Sequence, residues 1–328
     1  MVGDVWFWAI LVMALGLSVV AGFSGGGNLI AMPVAARAMP AWAAVVITAL
    51  GMVCGPFILG VAVAHTIGKG LVDVVAAGPR MLVAALLASA LTLLLSWWRT
   101  IPTSSSAALV GGMLGATWAG PGFRFIRWGG TGKALLSLSL SLGVGALAGI
   151  VAFRLLQALL SRLSYRQGRR ASSYQYLTTL AAALAYGAND GERVIGVLAA
   201  AVMLAVPGRP FVVYPWIILL AGGAWIAGLL CGGWRVATTV GFKIFRLRPI
   251  HGLAAQGAAA ATVMAGALLG GPVSSTLTAD AALIGVGASD RPGQLNWQVA
   301  RAMVVAWLLT LPLGVLLGAG AELVLKVI

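Results

Sequence analysis

Long apolar runs separated by short polar connections form the dominant pattern along this chain. Six of them, Val5 to Gly22, Ala41 to Ala64, Met81 to Trp98, Ala134 to Phe153, Phe211 to Gly232 and Met303 to Ala321, are long enough as helices to cross about 30 Å of hydrocarbon. They predict membrane spans in an all-α, polytopic fold. The first run follows Asp4 rather than a basic segment, and no small-residue cleavage site leads from it into a soluble domain, so it is expected to stay in the mature protein.

The apolar pattern is interrupted twice in the same way. Gly25-Gly26-Gly27-Asn28 breaks the first run, and Gly187-Ala188-Asn189-Asp190 breaks a later one. Each is followed by a proline–serine turn inside apolar sequence: Pro102-Thr103-Ser104-Ser105-Ser106, then Pro272-Val273-Ser274-Ser275-Thr276. After each proline the register holds, with Ser104 matching Ser274, Ser105 matching Ser275 and Gly115 matching Gly285. Repetition in the same order and at nearly the same spacing predicts two duplicated units, residues 1–160 and 174–328. The polar run SRLSYRQGRRASS, residues 161–173, joins them as a basic cytoplasmic linker.

Interrupted helices in duplicated halves are a signature of secondary transporters, because backbone freed in hydrocarbon is tolerated only where it lines a cavity or binds something. If Met81 to Ala116 and Leu253 to Gly287 are re-entrant hairpins with the serine turns at their tips, each half crosses three times. The repeats are then inverted about a midplane site. If Met81 to Trp98 is a full span, the number of crossings is even. The hairpin arrangement is preferred.

Composition narrows the class. Apolar residues make up 61% of the 328 and charged residues only 9%, too few ionic groups to cover a soluble domain. The formal charge of +14 does not call for nucleic acid. Arg162, Arg166, Arg169 and Arg170 fall in one connection and Arg235, Lys243, Arg246 and Arg248 in another, the distribution of cytoplasmic loops. Trp6, Trp8, Trp97, Trp98, Trp128, Trp216 and Trp297 stand at or near span ends, as interfacial anchors do. Cys54 and Cys231 lie within apolar runs, so neither a disulfide nor a metal cluster is expected. The expected surroundings are the cell membrane and its lipid, and a homo-oligomer is compatible with this arrangement.

Candidate chemistry concentrates at the interruptions. A serine turn ahead of an apolar helix presents free N–H groups and hydroxyls at the positive end of the helix dipole, a ready anion site. Two such ends facing each other would cradle a tetrahedral oxyanion; alternatively, the hydroxyls merely cap or pack their helices. Asn189 and Asp190, within otherwise apolar sequence, are assigned to a coupling ion, and Arg193, one turn from Asn189, to neutralising charge near the anion. A purely structural ion pair of Asp190 or Glu192 with Arg193 is the competing assignment. Asp280 either faces the cavity or pairs with a basic loop residue. His65 and His251 have no second ligand at metal spacing and are expected to pack at the interface. No enzyme signature is present, neither G-x-S-x-G, nor a Gly-rich loop with G-K-[ST], nor H-E-x-x-H, and no enzymatic activity or cofactor is expected.

At these positions the chain resembles the PiT-type inorganic phosphate transporters. The runs AYGANDGERVIG (Ala185 to Gly196), GWRVATTVGFKIFRLRPIHG (Gly233 to Gly252) and GPVSSTLTADAALIGVG (Gly271 to Gly287) carry the likeness in the second half. VAVAHTIGKGLVD (Val61 to Asp73) and PTSSSAALVGG (Pro102 to Gly112) carry it in the first. The resemblance implies import of inorganic phosphate by symport with sodium ions or protons. It places ion binding at Asn28, Asn189 and Asp190, with a sodium ion the only metal envisaged. It places phosphate binding at Ser104, Ser105, Ser106, Ser274, Ser275 and Thr276. The chain departs from the family pattern at Leu29, where an Asp is usual, and at Ala107 and Leu277, where His is usual. Phosphate keeps a proton near neutral pH that it can donate to a carboxylate or imidazole, whereas sulfate is fully ionised and a carboxylate repels it. The loss of those groups therefore makes a sulfate or related oxyanion permease, as in relatives of the family, the alternative. A transport-inactive membrane scaffold or sensor is the third reading.

Overall fold

The computed structural model describes residues 2–99, 103–160, 171–206, 208–243 and 247–327. Most of the basic linker expected at 161–173, and Pro102 of the first serine turn, lie outside them. The described residues are almost wholly helical.

The first half runs from α1 (Val2–Ala21) through a wide turn at Gly22–Gly26 into α2 (Gly27–Ala35), then α3 (Ala41–Leu59) and the single turn α4 (Ala62–His65). A second wide turn follows at Thr66–Gly70. Then come α5 (Val74–Trp98), α6 (Ser105–Ala119) and the long α7 (Trp128–Leu160). The second half holds α8 (Ala171–Tyr186), a wide turn at Gly187–Gly191, α9 (Glu192–Ala205), α10 (Pro215–Lys243), α11 (Pro249–Leu268), α12 (Ser275–Asp290) and α13 (Trp297–Val327). Among the described residues six stretches are long and apolar enough to cross a membrane: Val5–Ala35, Ala41–Leu59, Val74–Trp98, Trp128–Leu159, Pro215–Gly241 and Trp297–Val327. Each overlaps one of the six apolar runs, and the protein is a multi-pass membrane protein.

The interruptions at Gly22–Gly26 and Gly187–Gly191 are not gaps. Both are π-helical turns, and the residues on either side keep right-handed helical backbone angles. An outright gap would strand backbone groups in an apolar interior, whereas widening the helix by one residue disturbs only a single turn. The glycines serve close approach. A Cβ on Gly27 would run into the carbonyl of Gly233 on α10, and one on Gly187 into the carbonyl of Met52 on α3.

The packing repeats on exchange of the two halves. The first-half wide turn and α2 lie against α10, and the second-half wide turn lies against α3. Helix α6 packs on α13, and α12 packs on α7; α5 also meets α13, and α11 also meets α7. The matched glycines sit at these crossings, Gly115 against Val315 of α13 and Gly285 against Ala146 of α7. Each hairpin is thus held by the long helix of the opposite half. The pairs differ in their first arms, since α5 is long and apolar enough to cross a membrane and α11 is not. Helix α5 is also kinked at Gly78, whose φ of 80° ends one helical segment just before Pro79.

Candidate functional site

The start of α6 and the start of α12 are built alike. Ser104 and Ser274 both adopt extended backbone angles. Ser104 Oγ accepts from the N–H of Ala107 at 3.0 Å, and Ser274 Oγ accepts from the N–H of Leu277 at 3.3 Å. The hydroxyls repeated in the sequence are therefore N-caps in both halves. Capping at the third position leaves the first-turn N–H groups of Ser105, Ser106, Ser275 and Thr276 without intrahelical acceptors. Both ends are buried, and they meet: Ser106 Oγ donates to the carbonyl of Val273 at 3.0 Å, joining the two tips directly.

The second-half wide turn closes this junction from the side. Asn189 clamps the peptide of Val273, donating from Nδ2 to its carbonyl at 2.6 Å and accepting its N–H at 3.1 Å. Ser275 Oγ lies 2.6 Å from both oxygens of Asp190. Arg193 places Nη2 2.9 Å from Asp190 Oδ1, and its Nη1 donates to Ser106 Oγ. The Nη2 contact is an ion pair without hydrogen-bond alignment, so that nitrogen's donors are still turned to no acceptor among the described residues. The hydroxyl of Tyr186 donates to the carbonyl of Ser275 at 3.0 Å. Glu192 turns away from the group and accepts the N–H of Ala64 on α4 at 2.9 Å.

Asn28, at the start of α2 just past the first-half wide turn, has a different partner. Asn28 Nδ2 donates to Asp280 Oδ1 at 2.7 Å, and Asp280 faces the interior, where no basic residue pairs with it among the described residues. Leu29 is buried beside it, and its carbonyl accepts from Gln256 Nε2 at 3.2 Å. Gln256 Oε1 in turn accepts from Gln175 Nε2 at 2.6 Å and from Thr179 Oγ1 at 3.0 Å.

The sequence-derived candidates thus fall into two groups. Ser106, Asn189, Asp190, Arg193 and Ser275 form one connected cluster; Ser105 and Thr276 sit buried in the helix turns beside it; Ser104 and Ser274 cap those turns. Asn28 stands apart with Asp280. Tyr186, Gln175, Gln256 and Ser141, whose Oγ accepts the N–H of Ser274 at 3.1 Å, complete the polar lining. Their signal in the sequence was only that of isolated polar residues in apolar helices. His251 lies 3.1 Å from Asp290, and the His65 ring packs tilted against Phe211, with centroids 5.0 Å apart. Among the described residues no three His, Cys, Asp or Glu side chains are grouped to hold a metal ion. A cavity of about 770 Å³ opens at the ends of α2 and α11, lined by Arg37, Arg248, His251 and Arg291 among others.

A family model described as a phosphate transporter family matches residues 21–174 and 162–318. A protein of Rhizobium meliloti called a probable low-affinity inorganic phosphate transporter is 34% identical over 94% of this chain and 93% of its own length. One of Bacillus subtilis with the same description is 30% identical over 97% of both chains. A solved structure described as the sodium-dependent phosphate transporter superposes with a TM-score of 0.88 at 22% identity, covering 99% of this chain and all of that one.

Proposed function

Since the chain belongs to the phosphate transporter family, we propose that it imports inorganic phosphate across the membrane by symport with a cation, sodium or proton. The observation that carries this reading is the direct meeting of two capped, buried helix N-termini, one from each half, with Arg193 bonded to Ser106 of the first. Charge there is balanced for an anion: helix dipoles and a guanidinium supply the positive potential, and hydroxyl and amide donors supply geometry. Ser105, Ser106, Ser275, Thr276 and Arg193 form the anion site, and Ser104 and Ser274 hold its helix starts in shape. Asn189, Asp190 and Asn28 serve the coupling cation.

Asp190 and the phosphate share Arg193. A dianion arriving at Ser106 takes up the unaligned donors of Nη2 and loosens the Arg193–Asp190 pair, so cation binding at Asp190 compensates the carboxylate as phosphate binds. This exchange links the two ligands. The basic cavity at Arg37, Arg248 and Arg291 supports the same reading as an anion-attracting vestibule. The repeats are read as residues 1–160 and 174–328 in inverted orientation, joined by 161–173.

Labelled phosphate uptake into vesicles holding the purified protein, under imposed sodium or proton gradients, tests the reading. The expected result is saturable, gradient-driven uptake that excess sulfate leaves in place. Uptake displaced by an equal concentration of sulfate would transfer the assignment to a sulfate permease, and absence of any saturable flux would end the transport reading.

A further inference from the structure

Arg37, Arg248 and Arg291, which line the basic cavity, come from three different connections. Arg37 follows the end of α2, Arg248 precedes the first turn of α11, and Arg291 follows α12. An acid stands beside them, but it is already engaged. Asp290 Oδ2 lies 3.1 Å from His251 Nε2 and 3.4 Å from Arg291 Nε. Because His251 Nδ1 accepts the N–H of Arg248 at 3.2 Å, Nε2 is the nitrogen that donates to Asp290. Arg37 and Arg248 form no ion pair among the described residues.

Arg37 occupies a position that suits another residue better. The end of α2 closes as a Schellman turn: the N–H of Ala38 donates to the carbonyl of Pro33 and that of Arg37 to the carbonyl of Val34, both at 3.0 Å. Such a turn needs the residue after the helix in the left-handed region, and Arg37 has a φ of 54°. Glycine is the usual occupant, since a Cβ there crowds the backbone. Among the described residues no other residue with a side chain has a positive φ. A glycine would close α2 with less strain; what the arginine adds is a guanidinium in the cavity. The same turn occupies the carbonyls of Met32, Pro33 and Val34, which an open helix end would leave without donors.

The volume, about 770 Å³, lies in the range of sites for whole organic ligands and leaves far more room than a single tetrahedral ion fills. Guanidinium groups bind phosphate oxygens two at a time, and several of them around one space favour a ligand with several negative groups. We propose that this cavity is a binding site for an anion carrying two or more phosphate groups, which bridges α2 of the first half to both arms of the second hairpin. Soluble polyphosphates and lipid headgroups with two phosphates share that chemistry. Bridging has a consequence for transport, and this part rests on the phosphate reading above. Helix α12 carries Ser275 and Thr276 at its far end, so tying its Arg291 end to α2 restrains the hairpin and slows phosphate movement. The cavity then does more than attract the transported ion.

The test uses the purified full-length protein in two measurements. Unfolding midpoints are followed with inorganic triphosphate, with sulfate at matched ionic strength, and in phosphatidylcholine vesicles with or without diphosphatidylglycerol. Phosphate counterflow is followed in phosphatidylcholine vesicles with triphosphate on both faces. The wild type is expected to show a saturable rise in midpoint with triphosphate, well beyond that with sulfate, and a counterflow rate lowered severalfold. Arg37→Gly is expected to fold at least as well without ligand, yet to bind triphosphate about tenfold more weakly and to have its counterflow slowed less. Arg291→Gln is expected to weaken binding in the same direction. Arg124→Ala, which removes an equal charge from a turn elsewhere, should leave the response to triphosphate as it is. A rise confined to diphosphatidylglycerol and lost in the Arg37 and Arg291 variants would support the site with lipid as its source. Equal shifts from sulfate, or shifts that both of those variants keep in full, would overturn the proposal. So would saturable binding that leaves counterflow unchanged, because the ligand would then not bridge. Wild-type protein with no counterflow even without triphosphate would instead sink the phosphate reading, and the midpoint shifts would still decide the site.

Discussion

At the second-half wide turn the buried acid, Asp190, lies beside a guanidinium and a hydroxyl; just past the first-half turn the residue after Asn28 is Leu29, and the acid opposite is Asp280 from another helix, with no cation paired to it among the described residues. The two turns share glycines and a wide helical geometry, but Asn189 lies within its turn while Asn28 stands two residues beyond its own, in α2. What separates them is how a buried negative charge is compensated. In one place a guanidinium of the same turn lies against it; in the other, among the described residues, an amide does and no cation. Like turns therefore need not carry like chemistry, and the two asparagines serve different partners: Asn189 holds the peptide of Val273, while Asn28 holds a carboxyl group.

The comparison breaks first at Arg193. Arg193→Ala leaves Asp190 buried without its cation, for which a loss of about 3–5 kcal/mol is expected together with loss of uptake, read as a lowered unfolding midpoint in detergent and a flat vesicle assay. A double variant, Asp190→Leu with Arg193→Met, is expected to recover most of the stability and none of the transport, because apolar replacement of both partners removes the uncompensated charge. Asp190→Asn alone is expected to abolish coupled uptake while the protein stays inserted.

A smaller effect sharpens the contrast from the other side. Leu29→Asp places a second carboxyl in the buried interior beside Asn28, which already donates to Asp280, with an expected loss of about 2–4 kcal/mol. Combining it with Asp280→Thr should return part of that loss, and a double-variant cycle on unfolding midpoints measures the coupling. No coupling between the two positions would mean that they do not share one site.

The serine caps, by contrast, should behave equally. Ser104→Ala and Ser274→Ala are each expected to lower stability by about 1 kcal/mol, and a large inequality between them would deny that the two hairpin tips are equivalent. The smallest effect belongs to the exposed pair of Asp73 and Arg127, 3.0 Å apart. The hydrogen bond from Arg127 is the main cause holding the Asp73 carboxyl below its ordinary range. A depressed carboxyl contributes stability above its unfolded value and loses it as the pH falls through the folded one. The contact is thus expected to matter at neutral pH and to fade only in acid, below the usual carboxylate range. Being exposed, it should amount to less than about 1 kcal/mol, and Asp73→Asn should change the unfolding midpoint little.

The membrane spans were legible because their signal is long and compositional: each of the six apolar runs overlaps a helix able to cross. The twin serine turns were legible because the residues repeat in register, and both fold as the same cap. Two things were not. The glycine-rich interruptions read as breaks, yet a helix in an apolar setting keeps more of its hydrogen bonds by widening than by opening, and sequence does not distinguish the two outcomes. The partner of Asp280 was also hidden. Asn28 lies 252 positions away, and the contact arises only because α12 and the first wide turn come together from opposite halves. Arg193, by contrast, pairs within its own turn, where helical spacing alone brings it to Asp190.

That crossing of hairpins over the opposite half bears on how the protein is made. The ribosome delivers the first wide turn, α6 and their small-residue faces before α10 and α13, the surfaces that cover them, have been synthesised. Until then those glycine-lined grooves must wait in the bilayer against lipid or an insertion chaperone. Quality control will accordingly see an unfinished first half in every truncated product, and assembly becomes a late event that only the whole polypeptide completes.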